Sequence, residues 1–219
     1  LNVIAEGFHK GSGTPHAEVD ALSKLASVPE GSTAVVTLEP CNHTGRTGPC
    51  AQALIAAGIS RVVYATKDPG NESANGAQTL KDAGVEVIFG VLEEQAKEQG
   101  RIWLTAMQKQ RPFITLKWAQ TLDGRSAASD KTSKWITGSE AREDVHFRRS
   151  QLDAILVGTG TVKYDNPDLT ARKPDGSRYE HQPLRVVVGN SELSPDLRVF
   201  NEDAPTVQLK THDLNDVLS

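Results

Sequence analysis

Apolar and polar positions over the first 110 residues fall into short alternating stretches of two kinds. Residues 3–8, 34–38, 61–65 and 85–89 are β-branched or short and apolar, the pattern of sheet strands. Between them, 16–27, 49–57, 77–83 and 93–109 carry apolar residues three and four apart, which predicts helices with one face on that sheet. Gly58 and Gly84 follow two of these helices, where a left-handed stop residue belongs. Strand–helix alternation of this length predicts a layered α/β domain with a mostly parallel sheet.

Pro112 disfavours helix in the residue before it, so the long helix should end near Gln110. The predicted domains are therefore 1–110 and 111–219. The second opens with a strand over 113–120, a turn at Asp123-Gly124 and a short strand over 125–128. A helix over 139–151 follows, with Ser139 as N-cap and Glu140 and Glu143 near its positive end. Strands are predicted over 153–157 and 184–188, and 171–183 reads as a polar loop. Gly158-Thr159-Gly160 comes after the first of these strands. It is no dinucleotide fingerprint, because Lys163 stands where the third glycine belongs, and a tight turn explains it equally well.

Candidate chemistry concentrates in the first domain. The two cysteines, Cys41 and Cys50, flank an eight-residue loop, and His16-Ala17-Glu18 lies upstream. One imidazole, two thiols and a carboxylate that is not a ligand are the parts of a zinc hydrolytic deaminase. Three protein ligands, His16, Cys41 and Cys50, would leave one tetrahedral position open for water. Two thiolates and a neutral imidazole cancel the metal's charge, so water there is less acidified than at an all-histidine site. A nearby carboxylate must then take the proton and hand it to the leaving amine, and Glu18 is the candidate. Pro49 suits the first turn of a helix and would place Cys50 at its positive end, which favours thiolate. The residues also admit other readings: unrelated buried thiols, a Cys41–Cys50 disulfide, or a structural zinc with His43 as fourth ligand.

Composition narrows the class. With 37% hydrophobic and 24% charged residues the chain reads as a soluble globular protein, and a net charge of −4 offers no general attraction for nucleic acid. No apolar run approaches the ~20 residues that span a bilayer, and there is no secretory leader, so the expectation is a cytoplasmic protein without membrane contact. The absence of an initial Met and the abrupt ends suggest a chain truncated on both sides. Arg142, Arg148 and Arg149 share one predicted helix, ordinarily a solvated face unless the substrate bears phosphate.

Several motifs together are similar to one family. They are Pro15-His16-Ala17-Glu18-Val19, Thr37-Leu38-Glu39-Pro40-Cys41 through Gly45-Arg46-Thr47 to Pro49-Cys50, and Lys67-Asp68-Pro69. In the second half they are Leu122-Asp123-Gly124-Arg125, Ser133-Lys134-Trp135-Ile136-Thr137-Gly138, Gly160-Thr161-Val162 and Asp165-Asn166-Pro167. With them the chain resembles, over nearly its whole length, the bifunctional riboflavin-biosynthesis deaminase/reductase family. The eight-residue cysteine gap separates this family from cytidine and tRNA-adenosine deaminases.

The resemblance implies a cytidine-deaminase-like three-layer α/β domain followed by a dihydrofolate-reductase-like domain. It implies zinc-dependent hydrolytic deamination of a diamino-pyrimidinone carrying a ribosylamino 5-phosphate, then NADPH reduction of the opened ribose to a ribityl chain. Carried over by position, His16, Cys41 and Cys50 bind zinc, Glu18 shuttles the proton, and His43 and Arg46 contact the deaminase substrate. Ala119, Trp135, Thr161, Asp165 and Asn190 fall where the family contacts NADP, although Gly189-Asn190 departs from its usual Asp-Ser. Ser133, Arg149, Leu169 and Arg172 fall where it holds substrate. The family also self-associates, so a homo-oligomer is expected. Its members carry an N-terminal helix and strand and a C-terminal glycine-rich segment beyond this sequence, so reductase activity is expected to need more chain. Two alternatives remain: another zinc nucleobase or nucleoside deaminase fused to an unrelated domain, and a non-catalytic zinc-stabilised scaffold.

Overall fold

A computed structural model of the chain describes residues 2–45, 47–70, 73–129, 132 and 135–218. The chain divides into two compact units, Leu1–Phe113 and Ile114–Ser219.

In the first unit the order is α1 (Ala17–Leu22), β1 (Thr33–Leu38), α2 (Cys50–Ala56), β2 (Arg61–Thr66), α3 (Gly76–Asp82), β3 (Glu86–Phe89), α4 (Glu93–Gln99) and α5 (Arg101–Lys109). The strands form a parallel sheet in the order β1-β2-β3, with Val35 opposite Val63 and Val63 opposite Ile88. Ala51, Leu54, Ile59, Val62, Leu80 and Val85 are its buried core. Two helix ends build that core in the same way. Gly58 (φ 75°) and Gly84 (φ 83°) take the left-handed conformation, which lets Ile59 N–H reach Leu54 O at 3.2 Å and Val85 N–H reach Leu80 O at 3.0 Å. These are Schellman stops, and each sets an apolar residue beyond the helix against one in its last turn.

In the second unit the order is α6 (Ser139–Arg149), β4 (Ala154–Gly158), α7 (Thr159–Asp165), β5 (Leu184–Val188), β6 (Thr206–Leu209) and α8 (Leu214–Leu218), with a 3-10 turn over Arg198–Phe200 before β6. β4, β5 and β6 are parallel in that order. Val162, Leu169, Val187 and Val199 form its buried core.

Three expected strands are not strands. Residues 3–8 lie along α1 instead: Phe8 N–H donates to Asp20 Oδ2 at 3.3 Å, and Glu6 O accepts Lys24 Nζ at 2.6 Å. The 113–120 stretch pairs with no strand among the described residues, and Leu116 and Trp118 are 78% and 63% exposed. Residues 125–128 belong to turns, with Thr121 N–H bonded to Arg125 O at 2.8 Å and Ala128 N–H to Thr132 O at 2.8 Å. A β-type side-chain pattern makes a strand only when a neighbour completes the ladder. The single helix expected over 93–109 is two, divided at Gly100. Ser139 is the first helical residue of α6, and Gly138 caps it.

Candidate metal centre and cationic pocket

His16 is the N-cap residue of α1, with an extended backbone (φ −68°, ψ 163°). Its side chain therefore leaves the helix at the mouth of the first turn, where Glu18 also sits. Cys41 follows the end of β1, and Cys50 is the first residue of α2 behind Pro49. Hydrogen bonds lock this loop, from Ala51 N–H to Cys41 O at 3.1 Å and from Asn42 N–H to Ser73 O at 2.9 Å. On the other side Glu39 is buried at the strand end, and its Oε1 accepts Ala77 N–H at the start of α3 at 3.0 Å. Gly76 is there of necessity, since a Cβ would overlap Pro40 O.

These elements bring three ligand atoms together. His16 Nδ1 lies 3.2 Å from Cys50 Sγ and 3.4 Å from Cys41 Sγ. All three atoms fall within 4.8 Å of one another, and neither thiol is in a disulfide. Tetrahedral zinc with ordinary Zn–N and Zn–S bonds needs N···S edges of about 3.5 Å, so this donor set fits the metal. His16 Nε2 points away, 3.5 Å from Thr47 Oγ1, and the His9 ring stands edge-on to His16 with centroids 5.3 Å apart. Contacts of this kind fix the imidazole's tautomer and orientation.

The charges are arranged to match. Cys41 is pulled down to about 5, first by the hydrogen bond from the Cys50 thiol, then by Cys50 N–H at 3.3 Å and by His16. Cys50 is pushed up by that same shared bond and by burial, so the two thiols titrate as a pair. Burial raises the Glu18 carboxyl above the usual range, against hydrogen bonds from its own backbone and from Cys50. A proton carrier poised towards neutrality is what general acid–base work requires.

A cavity of about 1130 Å³ opens beside the cluster, lined by His16, Glu18, Cys41 and Asp68 together with strand residues. His43 leaves its Nδ1 buried without a partner among the described residues. Arg46 and Ser133, both expected to touch substrate, lie outside the described residues.

The second unit gathers Arg149, Leu169 and Arg172. Arg149 Nη1 donates to Thr170 O at 2.8 Å, while its Nε is buried without a partner among the described residues. Burial, and then the charge of Arg172, depress the Arg149 pKa. Burial and both arginines also lower His146, whose Nδ1 accepts Arg172 N–H at 3.3 Å. Leu169 is buried in a left-handed conformation (φ 60°). Arg149 thus has a like-charged neighbour in Arg172 and an unmet donor, features that an anion would satisfy.

Thr161 lies in the first turn of α7 and Asn190 just beyond β5, both at the carboxyl edge of the sheet. Gly158 and Gly160 leave open space beside the backbone there, in the crevice where α/β sheets receive ligands. Asp165 ends α7. Ala119 is in the unpaired 113–120 stretch, and Trp135, 73% exposed, packs on Arg142 with the guanidinium 4.4 Å from the ring centre.

The amino-acid pattern did not single out Thr47, Asp168 or Arg185. Arg185, fully buried, was legible only as a charge inside the apolar run 184–188.

The sequence from 2 to 66 matches the cytidine and deoxycytidylate deaminase zinc-binding region, and 112 to 217 matches the RibD C-terminal domain. The riboflavin biosynthesis protein RibD of Mycobacterium tuberculosis is 48% identical over 99% of this chain and 64% of its own length. Both halves of the chain are RibD-like. RibD of Corynebacterium ammoniagenes is 51% identical over 88% of the chain and 57% of its own length. The chain is also similar to the crystal structure of a diaminohydroxyphosphoribosylaminopyrimidine deaminase/5-amino-6-(5-phosphoribosylamino)uracil reductase from Thermotoga maritima, with a TM-score of 0.84 and 43% identity over 94% of this chain and 59% of that one. Acinetobacter baumannii RibD gives 0.87 and 38%, over 99% and 66%.

The chain thus spans 57% and 64% of the length of those two curated relatives. It carries a cytidine-deaminase-like zinc-binding region, which contains the His16, Cys41 and Cys50 cluster, and a dihydrofolate-reductase-like RibD C-terminal domain, for which NADPH is the implied cofactor. Among the described residues no helix is long and apolar enough to cross a membrane.

Proposed function

We propose that this chain performs zinc-dependent hydrolytic deamination of 2,5-diamino-6-(5-phosphoribosylamino)pyrimidin-4-one in a domain over 1–110. The domain over 111–219 contributes to NADPH reduction of the ribosyl group to a ribityl side chain. The observation that carries this reading is His16 Nδ1 within 3.4 Å of both sulfurs, with Glu18 in the same turn. Zinc held by His16, Cys41 and Cys50 would supply Lewis-acid activation of water. Glu18 takes a proton from the attacking water and passes it to the departing amino group, and its raised pKa suits both transfers. The cavity beside the cluster has room for a pyrimidine bearing a sugar phosphate, and His43 and Arg46 are the expected contacts of that substrate.

In the second domain, Arg149 and Arg172 hold the substrate phosphate, and Leu169 and Ser133 are the other expected substrate contacts. Guanidinium forks bind such oxygens in pairs. Thr161 and Asn190 on the carboxyl edge, with Asp165, Ala119 and Trp135, hold NADPH. The protein works in the cytoplasm as a homo-oligomer.

Ammonia release tests the reading. The zinc-loaded chain should deaminate the diamino-pyrimidinone phosphate and leave cytidine untouched. Glu18→Gln should keep its zinc and lose about 100-fold or more of the rate. Turnover of cytidine instead would point to another deaminase, and an unaffected Glu18→Gln would point to a scaffold.

A further inference from the structure

Both carboxylate oxygens of Asp168 are engaged. Oδ2 accepts Arg172 Nη1 at 3.0 Å and also Arg198 Nη2, while Oδ1 accepts Asn201 Nδ2 at 3.1 Å. The main-chain carbonyl of Asp168 accepts Arg185 Nη1 at 3.1 Å. Arg185 is fully buried on β5 and is itself tied to Asn201 Oδ1 at 2.8 Å, to Asn201 O at 2.6 Å and to Ala204 O. Asp168 is therefore anchored to the sheet by its main-chain carbonyl through a buried guanidinium, and its side chain, 11% exposed, holds Asn201 and, as ion pairs, Arg172 and Arg198.

We propose that Asp168 is a positioning residue, which fixes the Arg172 guanidinium beside Arg149 so that the pair meets the substrate phosphate as a preset fork. This rests on the phosphate reading of the Arg149–Arg172 pocket given above. A carboxylate next to an anion pocket repels the anion, so a bystander there only weakens binding. An arginine side chain, however, loses much rotamer freedom when it is immobilised by a ligand. An arginine already held by Asp168 has met that cost on folding. Arg198 shares Oδ2 and draws off part of the carboxylate's charge, so the grip on Arg172 survives with less repulsion of the ligand.

The two roles predict opposite signs. Ribose 5-phosphate binding to the full 219-residue chain, measured by titration calorimetry, reads them. Asp168→Asn should weaken binding about tenfold, which converts to ~1.4 kcal/mol. Binding that is unchanged or tighter in Asp168→Asn overturns the proposal, since that is what removing a bystander's repulsion does. Arg172→Gln separates the two layers of the argument. If it leaves affinity untouched, the pocket does not take phosphate and the underlying reading fails. If it weakens binding while Asp168→Asn does not, only the positioning role fails. Should Asp168→Asn lose its cooperative melt, Asp168→Glu decides, because it keeps every charge and moves the carboxylate by one methylene. Several-fold weaker binding in Asp168→Glu supports positioning, and wild-type affinity overturns it.

Discussion

His16 Nδ1 lies 3.2 Å from Cys50 Sγ although 34 positions separate the two residues. The contact exists because α1 and α2 both begin at the carboxyl end of the sheet, one with an extended N-cap and the other behind a proline. Purified chain is expected to bind zinc in a 1:1 ratio, and X-ray absorption should show two sulfurs, one nitrogen and one oxygen. Cys50→Ser should lower zinc affinity by more than the ~100-fold reached by changes outside the ligand set.

The shared proton of the cysteines makes the metal-free protein sensitive to pH. The folded Cys41 thiol ionises near about 5 rather than at the ordinary 9.0. Between those values the unfolded chain holds the extra proton, so the stability Cys41 contributes is fully present above the unfolded value and is lost as pH falls through the folded one. Thermal midpoints in chelator should therefore climb with pH across this window. Cys50→Ala removes the leading cause of the shift and should move the Cys41 titration upward, as read by ultraviolet thiolate absorbance. Near neutral pH, zinc uptake should release the proton that the cysteine pair shares.

Close packing at the loop before α3 sets another expectation. Gly76→Ala places a methyl against Pro40 O, next to Cys41. It should destabilise the first unit by about 1–3 kcal/mol, the usual range for overpacking. Chemical denaturation would show this, and zinc affinity should fall with it because Pro40 and Cys41 must shift.

Arg149 carries an unfavourable electrostatic environment in the folded chain. Its Nε is buried without a partner among the described residues, and Arg172 repels it. Arg149→Met fills similar volume without the charge. It should raise stability by about 1 kcal/mol and weaken ribose 5-phosphate binding by about tenfold or more. Paired denaturation and calorimetry would show the two changes in opposite directions.

Most helices and five of the six strands of the two parallel sheets could be read from the residue pattern, because apolar periodicity and stop glycines act locally, whereas β6 (Thr206–Leu209) was not foreseen. Gly58 and Gly84 mark helix ends whatever surrounds them. The 3–8 and 113–120 stretches could not be read in this way. Their side chains suit a strand, but pairing depends on a neighbour, and their backbone groups find other partners or none among the described strands. The helix α7 was hidden because Gly158-Thr159-Gly160 suits a turn and a helix start equally well.

The parts of the metal centre, one imidazole, two thiols and a carboxylate, are a matter of composition and spacing, and linear order alone names them. Their convergence is not. It depends on strand ends and helix starts meeting at one edge of a sheet, a long-range arrangement that no local preference encodes. The Asp168–Arg172–Arg185 brace is the extreme case. Asp168 and Arg172 look like ordinary surface charges in one dimension and Arg185 only like a charge inside an apolar run, and the hydrogen bonds made in the folded chain turn the three into a single device.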